Sequence, residues 1–209
     1  MFIKEQIYHD IFNLGALFFL VIINLANWTI SNYQFVWTGI HFEFLKQSFL
    51  LYFLIDTTWI CLCPRSVKSP MIIYIHHGIS IVGLLLIPNH ISKLVSSLFF
   101  IEINTWFLIC RRLFNNKYLE KYKYLNILGK VVNTDIKLVS ILFYISWIYY
   151  RLIVMPQLLY SMILITLNSQ SYTNISICLV QGILTLMGIK WSKDLLISKV
   201  RKQRTSSGL

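Results

Sequence analysis

Residues 44–88 read FLKQSFLLYFLIDTTWICLCPRSVKSPMIIYIHHGISIVGLLLIP. Two apolar runs, 44–63 and 71–88, each reach the about 17–25 residues with which a helix crosses a bilayer core. Between them Pro64 and Pro70 bracket a short loop carrying Arg65 and Lys68, and Pro88 closes the second run. This alternation of long apolar run and short basic gap is the pattern of a multi-pass membrane protein. It continues on both sides, with further runs at about 11–30, 93–112, 137–166 and 173–190.

The whole chain agrees. Of 209 residues, 56% are hydrophobic and 13% charged, with a mean hydropathy of +0.64. A soluble domain carries about 25% charge, so a soluble enzyme is excluded. The net charge of +11 and pI of about 9.6 come from basic residues in the gaps between runs, where they orient spans in the membrane; nucleic acid is not an expected partner. The Ile, Asn, Lys and Tyr usage suggests an AT-rich genome, for instance of a protist or a large DNA virus, and says nothing about function. The start of the chain lacks a small-residue cleavage site, so 11–30 is expected to be a retained first span. Cys61, Cys63, Cys110 and Cys178 have no zinc-ligand spacing and read as free thiols, with palmitoylation of the juxtamembrane pair as an alternative. No metal site is expected, since adjacent histidines chelate poorly on a helix.

The expected fold is an all-α membrane protein in one domain, 1–209. About six transmembrane helices enclose a polar cavity, and both termini are cytosolic. Orientation follows from Arg111, Arg112, Lys117, Lys121, Lys123, Lys130 and Lys137 in one gap, from Arg65 and Lys68, and from the basic tail 191–209. The alternate gaps hold only Lys46 and Lys93, and six spans satisfy the positive-inside rule for all three basic segments. The run 137–166 is too long for one upright helix; Pro156 should kink it, with two short spans as the alternative. Tyr118, Tyr122, Leu125 and Leu128 recur at helical spacing and suggest either an amphipathic helix on the cytosolic leaflet or an ordinary basic loop. Asn174-Ile175-Ser176 forms a glycosylation sequon in an expected luminal loop.

Away from the ends of these runs the acidic, basic and histidine residues are Asp56, His76, His77, Glu102 and Arg151. Each costs at least about 2.5–3.5 kcal/mol at membrane depth unless paired or hydrated. Counting 1.5 Å per residue from the cytosolic ends puts Asp56 ~10 Å, His76 ~9 Å and Glu102 ~13 Å deep, with Arg151 ~20 Å from Lys137. A polar cavity open to the cytosol is the economical arrangement. A histidine there can act as a general base and a carboxylate can orient it. Neighbouring helical residues point about 100° apart, so His76 and His77 should not share one role. The alternative is that these groups only bridge helices.

In order along the chain, these motifs resemble the TLC family (TRAM, Lag1 and CLN8 homology), multi-pass proteins mostly of the endoplasmic reticulum. The resemblance covers about 40–195. It rests on YFLIDTTWI with Asp56, on Met71 to His76-His77-Gly78, on EINTWFLICRRLF, and on WIYYRLIVMPQLLY with Arg151 and Pro156. In the third motif Glu102, Asn104, Thr105, Phe107 and Arg111 stand on matching positions, while Trp106 stands where the family usually has proline.

The resemblance implies membrane lipid handling, sphingolipid or phospholipid, in the endoplasmic reticulum (or a host membrane, for a viral chain). Asp56, Glu102, Thr105 and Arg151 would be polar residues of a lipid cavity, and His76 and His77 the catalytic candidates. One alternative is a ceramide-synthase-like N-acyltransferase, with Arg111 and Arg112 near the phosphates of an acyl-CoA co-substrate. The acidic run that ceramide synthases carry after the paired histidines is replaced here by PNHISKLVSSLFFIE, without aspartate. The chain therefore looks closer to the small TLC-domain proteins. A non-enzymatic cargo or partner receptor is the other alternative. Membrane lipids are the expected partners, and no cofactor is expected.

Overall fold

The structure is a computed structural model and describes residues 2–114, 137–169 and 171–206. Helix α1 (Phe2–Leu25) leads into a hairpin of strands β1 (Trp28–Ser31) and β2 (Gln34–Trp37). Helices α2 (Phe42–Leu62) and α3 (Pro70–Leu86) follow, joined through a 3-10 turn at Pro64–Ser66. Helices α4 (Ser92–Phe99) and α5 (Glu102–Phe114) form one broken rod. The last two rods are α6 (Lys137–Asn168) and α7 (Tyr172–Ser206).

Four stretches are long and apolar enough to cross a membrane: Glu5–Leu25, Ser92–Leu113, Lys137–Asn168 and Tyr172–Ser198. Helix α3 is a shorter apolar helix, and the 21-residue α2 is interrupted by Glu43, Lys46 and Asp56. Large apolar side chains such as Phe18, Phe19, Leu51, Leu85, Ile145 and Leu179 face outward. Such an inverted exterior is stable only in an apolar solvent, consistent with an integral membrane protein.

The rods pack in a ring. Helix α1 contacts α2 and α5, α2 contacts α3, α3 contacts α7, and α7 contacts α6. Asn104 of α5 closes the circle by donating to the Phe143 carbonyl and Ser146 Oγ of α6, at 3.1 and 3.0 Å. At Gly83 of α3 a Cβ would lie 2.9 Å from a Val180 methyl of α7, so this residue sets how closely the two helices approach.

Several element boundaries differ from those expected. Helix α1 begins at Phe2 rather than 11, because residues 2–10 contain neither Pro nor Gly to stop the helix. It ends at Leu25, and the apolar stretch that follows folds back as a hairpin instead of continuing to 30. Asn27 organises that reversal from a fully buried position. Its Nδ2 donates to the Ile23 carbonyl at 3.0 Å, and its Oδ1 accepts the His41 N–H at 2.8 Å. Its own carbonyl accepts from the Thr38 hydroxyl and the Thr38 and Gly39 N–H groups. The hairpin turns through Asn32 and Tyr33, both with positive φ (49° and 60°), as a two-residue turn with the right strand twist requires. Gly39 (φ +66°) then redirects the chain into α2, with the Trp37 indole 3.1 Å from where a Cβ would sit.

The expected single span 93–112 is broken at Phe100–Ile101. There Ile101, Ile103 and Asn104 N–H groups bond three residues back, a tightened turn that makes Glu102 the first residue of α5. Pro156 does not split 137–166. The strain is absorbed by a π-helical segment, Ile148–Val154, in which the Met155 N–H reaches the Tyr150 carbonyl five residues back. The expected tail from 191 continues as helix to Ser206. Asn174 is 4% exposed rather than presented on a loop, its Nδ2 donating to the Ser169 carbonyl at 3.1 Å. Tyr118, Tyr122, Leu125 and Leu128 lie outside the described residues.

Asn27→Ala removes two buried side-chain bonds at the α1–hairpin–α2 junction. It should destabilise the protein by about 1–3 kcal/mol, read as a lowered thermal midpoint in detergent, whereas Thr29→Val on the exposed strand should leave the midpoint in place. An unchanged Asn27→Ala midpoint would remove Asn27 as the organiser of the junction.

Candidate functional site

The buried polar residues divide into three groups. The first surrounds Asp56, whose Oδ1 accepts from His9 Nε2 at 2.7 Å, while Oδ2 lies 3.5 Å from His77 Nε2. His77 Nδ1 is 3.0 Å from the Thr57 hydroxyl, which donates if the histidine carries its proton on Nε2. The Asn13 amide lies against the His9 ring at 3.2 Å, and the Tyr52 hydroxyl donates to Asn13 Oδ1 at 3.1 Å. His9, Asp56 and His77 are at most 5% exposed. The network satisfies a carboxylate and two imidazoles from three helices at once, which is how polar groups persist in an apolar surround. It consists of bonds within and between helices, and none of its members lines the cavity described below.

The second group is an ion pair. Arg112 Nε donates to Asp10 Oδ2 at 2.7 Å and Nη2 to Oδ1, a two-pronged contact tying α5 to α1. Arg111 lies over the rings of Phe143 and Tyr144, at 5.4 and 5.2 Å.

The third group lines a cavity of about 70 Å³ inside the ring. His76, Ser80, Glu102, Arg151 and Gln181 supply its polar lining. Two of them are placed by identifiable local devices. Glu102 opens α5, where the unpaired N–H groups of the first turn favour negative charge. Arg151 sits in the π-helical segment: residues four apart drift by about 40° on a regular α-helix, and the wider turn offsets that drift. Trp147, Arg151 and Met155 therefore all stay buried. The Arg151 guanidinium carbon lies 4.9 Å from the ring centres of both Trp147 and Trp191, cation–π contacts that hold it with no carboxylate in ion-pair distance among the described residues. Gly188 leaves the room this needs, since a Cβ there would stand 3.2 Å from Met155 Sδ and 3.8 Å from Arg151 Nη1.

Three residues of this lining each carry a buried atom with no hydrogen-bond partner among the described residues: His76 Nδ1, Arg151 Nε and Gln181 Oε1. One is a donor, one an acceptor, and the imidazole nitrogen serves as either. Buried polar groups in folded proteins are nearly always paired, and these three share the state with Ser66 Oγ, Asn104 Oδ1 and Asn174 Oδ1 elsewhere among the described residues. From His76 to Ile87 the α3 wall runs ~16 Å along the helix axis. Ile87, Val95, Leu98, Met162 and Ile177 are part of the cavity's apolar lining.

The expected site residues thus separate. His76, Glu102 and Arg151 come together around the cavity. Asp56 and His77 do not line it; they form the cluster with His9, because the two adjacent histidines point to different neighbours. Thr105 lies beside the Glu102 carboxyl, away from the cavity surface. Arg112 is engaged by Asp10 and Arg111 by two aromatic rings. His9 and Asp10 lie ahead of the expected span start at 11, and Asn13, inside that span, is not ionisable. Gln181 was visible as a polar residue in the middle of the last apolar run, and Trp191 fell one residue beyond it. Among the described residues no group of three His, Cys, Asp or Glu side chains is arranged to hold a metal ion.

A double-mutant cycle tests the first group. His9→Ala and Asp56→Ala should be non-additive by about 1–3 kcal/mol in detergent unfolding, since each leaves the other's buried partner unpaired. Additivity would mean that the 2.7 Å contact carries no net energy. Comparison with models of known protein families, with curated proteins and with solved structures finds no match to this chain.

Proposed function

We propose that this chain is a TLC-like integral membrane protein that handles membrane lipid, holding a lipid or acyl chain in the cavity inside its helix ring. The observation that carries this reading is the make-up of that cavity: His76 and Arg151 both meet the Trp191 ring, Glu102 and Gln181 add to the polar lining, and toward Ile87 and Ile177 the lining is apolar. A molecule with a polar head and an apolar tail is the class that satisfies both ends. The head bonds to His76, Gln181 and Arg151, and the tail replaces water along Leu84, Val95 and Met162.

All six rods cross the membrane in this reading, with both termini in the cytosol. Helix α3 has 17 residues and α2 has 21, within the about 17–25 residues that span a bilayer. The basic residues gather at one end of the alternating rods. Placement in the endoplasmic reticulum rests on the TLC resemblance.

A second reading is favoured by one atom. His76 Nδ1 has no partner among the described residues, and His76 lines the same cavity as Glu102; in this reading His76 takes the proton from an amine as it attacks an acyl thioester and passes it to the thiolate that leaves when the C–S bond breaks. Acyl-CoA would then be the co-substrate, and His77, bonded to Thr57 and near Asp56, would position α3 rather than react.

The test is lipid analysis of the purified protein together with labelling in cells lacking their own ceramide synthases. Lipid should co-purify with wild type and fall severalfold with Met162→Trp, which fills the apolar bore, at matched expression and thermal midpoint. Labelled sphingoid base should give no labelled ceramide. Ceramide formation lost in His76→Ala but kept in His77→Ala would replace lipid holding by N-acyl transfer. Protein that purifies free of lipid and makes no product would overturn both.

A further inference from the structure

The β1–β2 hairpin has an apolar face that is only half used. Its register pairs Trp28 with Trp37 and Ile30 with Phe35. Side chains two apart on a strand share a face, so these four residues form one continuous apolar surface. Thr29, Ser31 and Gln34 point the other way, with Val36 as the one apolar residue among them. The tryptophan half is docked on the body of the protein. Trp28 Nε1 donates to Ser96 Oγ at 2.9 Å, its ring meets Phe100 at 6.2 Å, and Trp37 packs edge-on against Phe42 at 5.8 Å. The other half has no cover: Ile30 is 69% and Phe35 67% exposed, and Tyr33 at the tip is fully exposed.

Three observations say what covers it. The hairpin lies alongside Ser96 and Phe100, ~6 to 12 Å along α4 from its start at Ser92, on a rod whose stretch Ser92–Leu113 is apolar enough to cross a membrane. It also follows α1 by two residues, and the outward-facing Phe18, Ile22 and Leu25 of α1 run directly up to it. From Ala26 to Phe42 the chain contains no Asp, Glu, Lys or Arg, so nothing opposes burial of this surface in lipid. The unpaired outer edges of a two-stranded hairpin forbid the hydrocarbon centre, where an open edge has no partners. The boundary layer offers water and headgroups to those edges and hydrocarbon to the apolar face, and there Trp and Tyr are favoured.

The geometry points to the hairpin as a membrane-interface anchor, with Ile30 and Phe35 inserted among the upper acyl chains, Tyr33 at headgroup level and Thr29, Ser31 and Gln34 facing water. The inference is independent of what occupies the cavity. It needs only that α1 and the α4–α5 rod cross the bilayer.

The test uses the full chain in phosphatidylcholine nanodiscs, with the native cysteines replaced and an environment-sensitive fluorophore attached in turn to Ile30→Cys, Phe35→Cys, Thr29→Cys and Gln34→Cys. At 30 and 35 the emission should be blue-shifted, and quenched severalfold more by lipid spin-labelled near the headgroup than by aqueous iodide. At 29 and 34 that preference should reverse. Equal iodide quenching at all four sites overturns the inference. So does shielding at 30 and 35 without lipid quenching, the outcome expected if a second copy covers the face. An unlabelled check is amide hydrogen exchange in nanodiscs. Ile30→Ser combined with Phe35→Ser should speed exchange in 30–36 by about tenfold or more while leaving Ser92–Phe99 as in wild type; equal exchange in both proteins would overturn the anchor.

Discussion

The contact between His9 and the Asp56 carboxylate, 2.7 Å across the α1–α2 interface, is the constraint around which this ring is organised. In an apolar surround the interior of a bundle is no drier than its exterior, so helices are not driven together by hydrophobic burial alone. Polar groups that water cannot reach must instead find one another. Asp56 meets this demand by joining α1, α2 and α3 through His9 and His77, and Asn13, Tyr52 and Thr57 complete the bonding of the two imidazoles. Removing one member leaves the others buried and unpaired, which costs more than the bond itself is worth.

The same logic repeats around the circle with different chemistry. Asp10 and Arg112 fasten α1 to α5, Asn104 fastens α5 to α6, and Trp147 donates to Ser192 Oγ between α6 and α7 at 2.9 Å. Between α3 and α7 the device is close approach at Gly83. The walls are therefore tied at each junction, and the buried atoms left without a partner among the described residues divide between the cavity residues His76, Arg151 and Gln181 and the positions Ser66, Asn104 and Asn174 elsewhere. His76, Arg151 and Gln181 face inward from three rods already fixed by other contacts, so their orientation is set before any occupant arrives. Arg151 illustrates how: two indole faces hold its charge, and its ability to donate a hydrogen bond from Nε is kept in reserve.

Much of the fold was legible in the order of residues. Six long apolar stretches with short gaps correspond to the rods α1, α2, α3, α4–α5, α6 and α7, and Pro156 marked the place where α6 departs from regular helix. Their ends were less legible. Apolarity is shared by a span and by the strands that follow it, so Trp28–Trp37 gave no hint of leaving the helix; only Asn32 at the turn did, and Tyr33 with positive φ beside it ran against the usual preference. The break at Phe100–Ile101 has neither proline nor glycine to announce it. Of the site, His76, Glu102 and Arg151 were found by their cost at membrane depth. His9 and Asp10 were missed because the same cost was not charged to residues ahead of an assumed span start.

Composition and periodicity alone determined that the chain is helical, suited to a membrane, and obliged to pair or hydrate a few ionisable groups. These are consequences of solvent transfer, which depends on residue type and spacing and not on neighbours distant in sequence. Which groups pair was decided only in three dimensions. His76 and His77 are chemically identical and adjacent, yet one reaches a cavity and the other a carboxylate. That division depends on the rotation of α3 against α2 and α7, a property of packing between segments that one-dimensional pattern does not contain. The tertiary structure separated a bonding network that holds the ring from a cavity with polar atoms to spare.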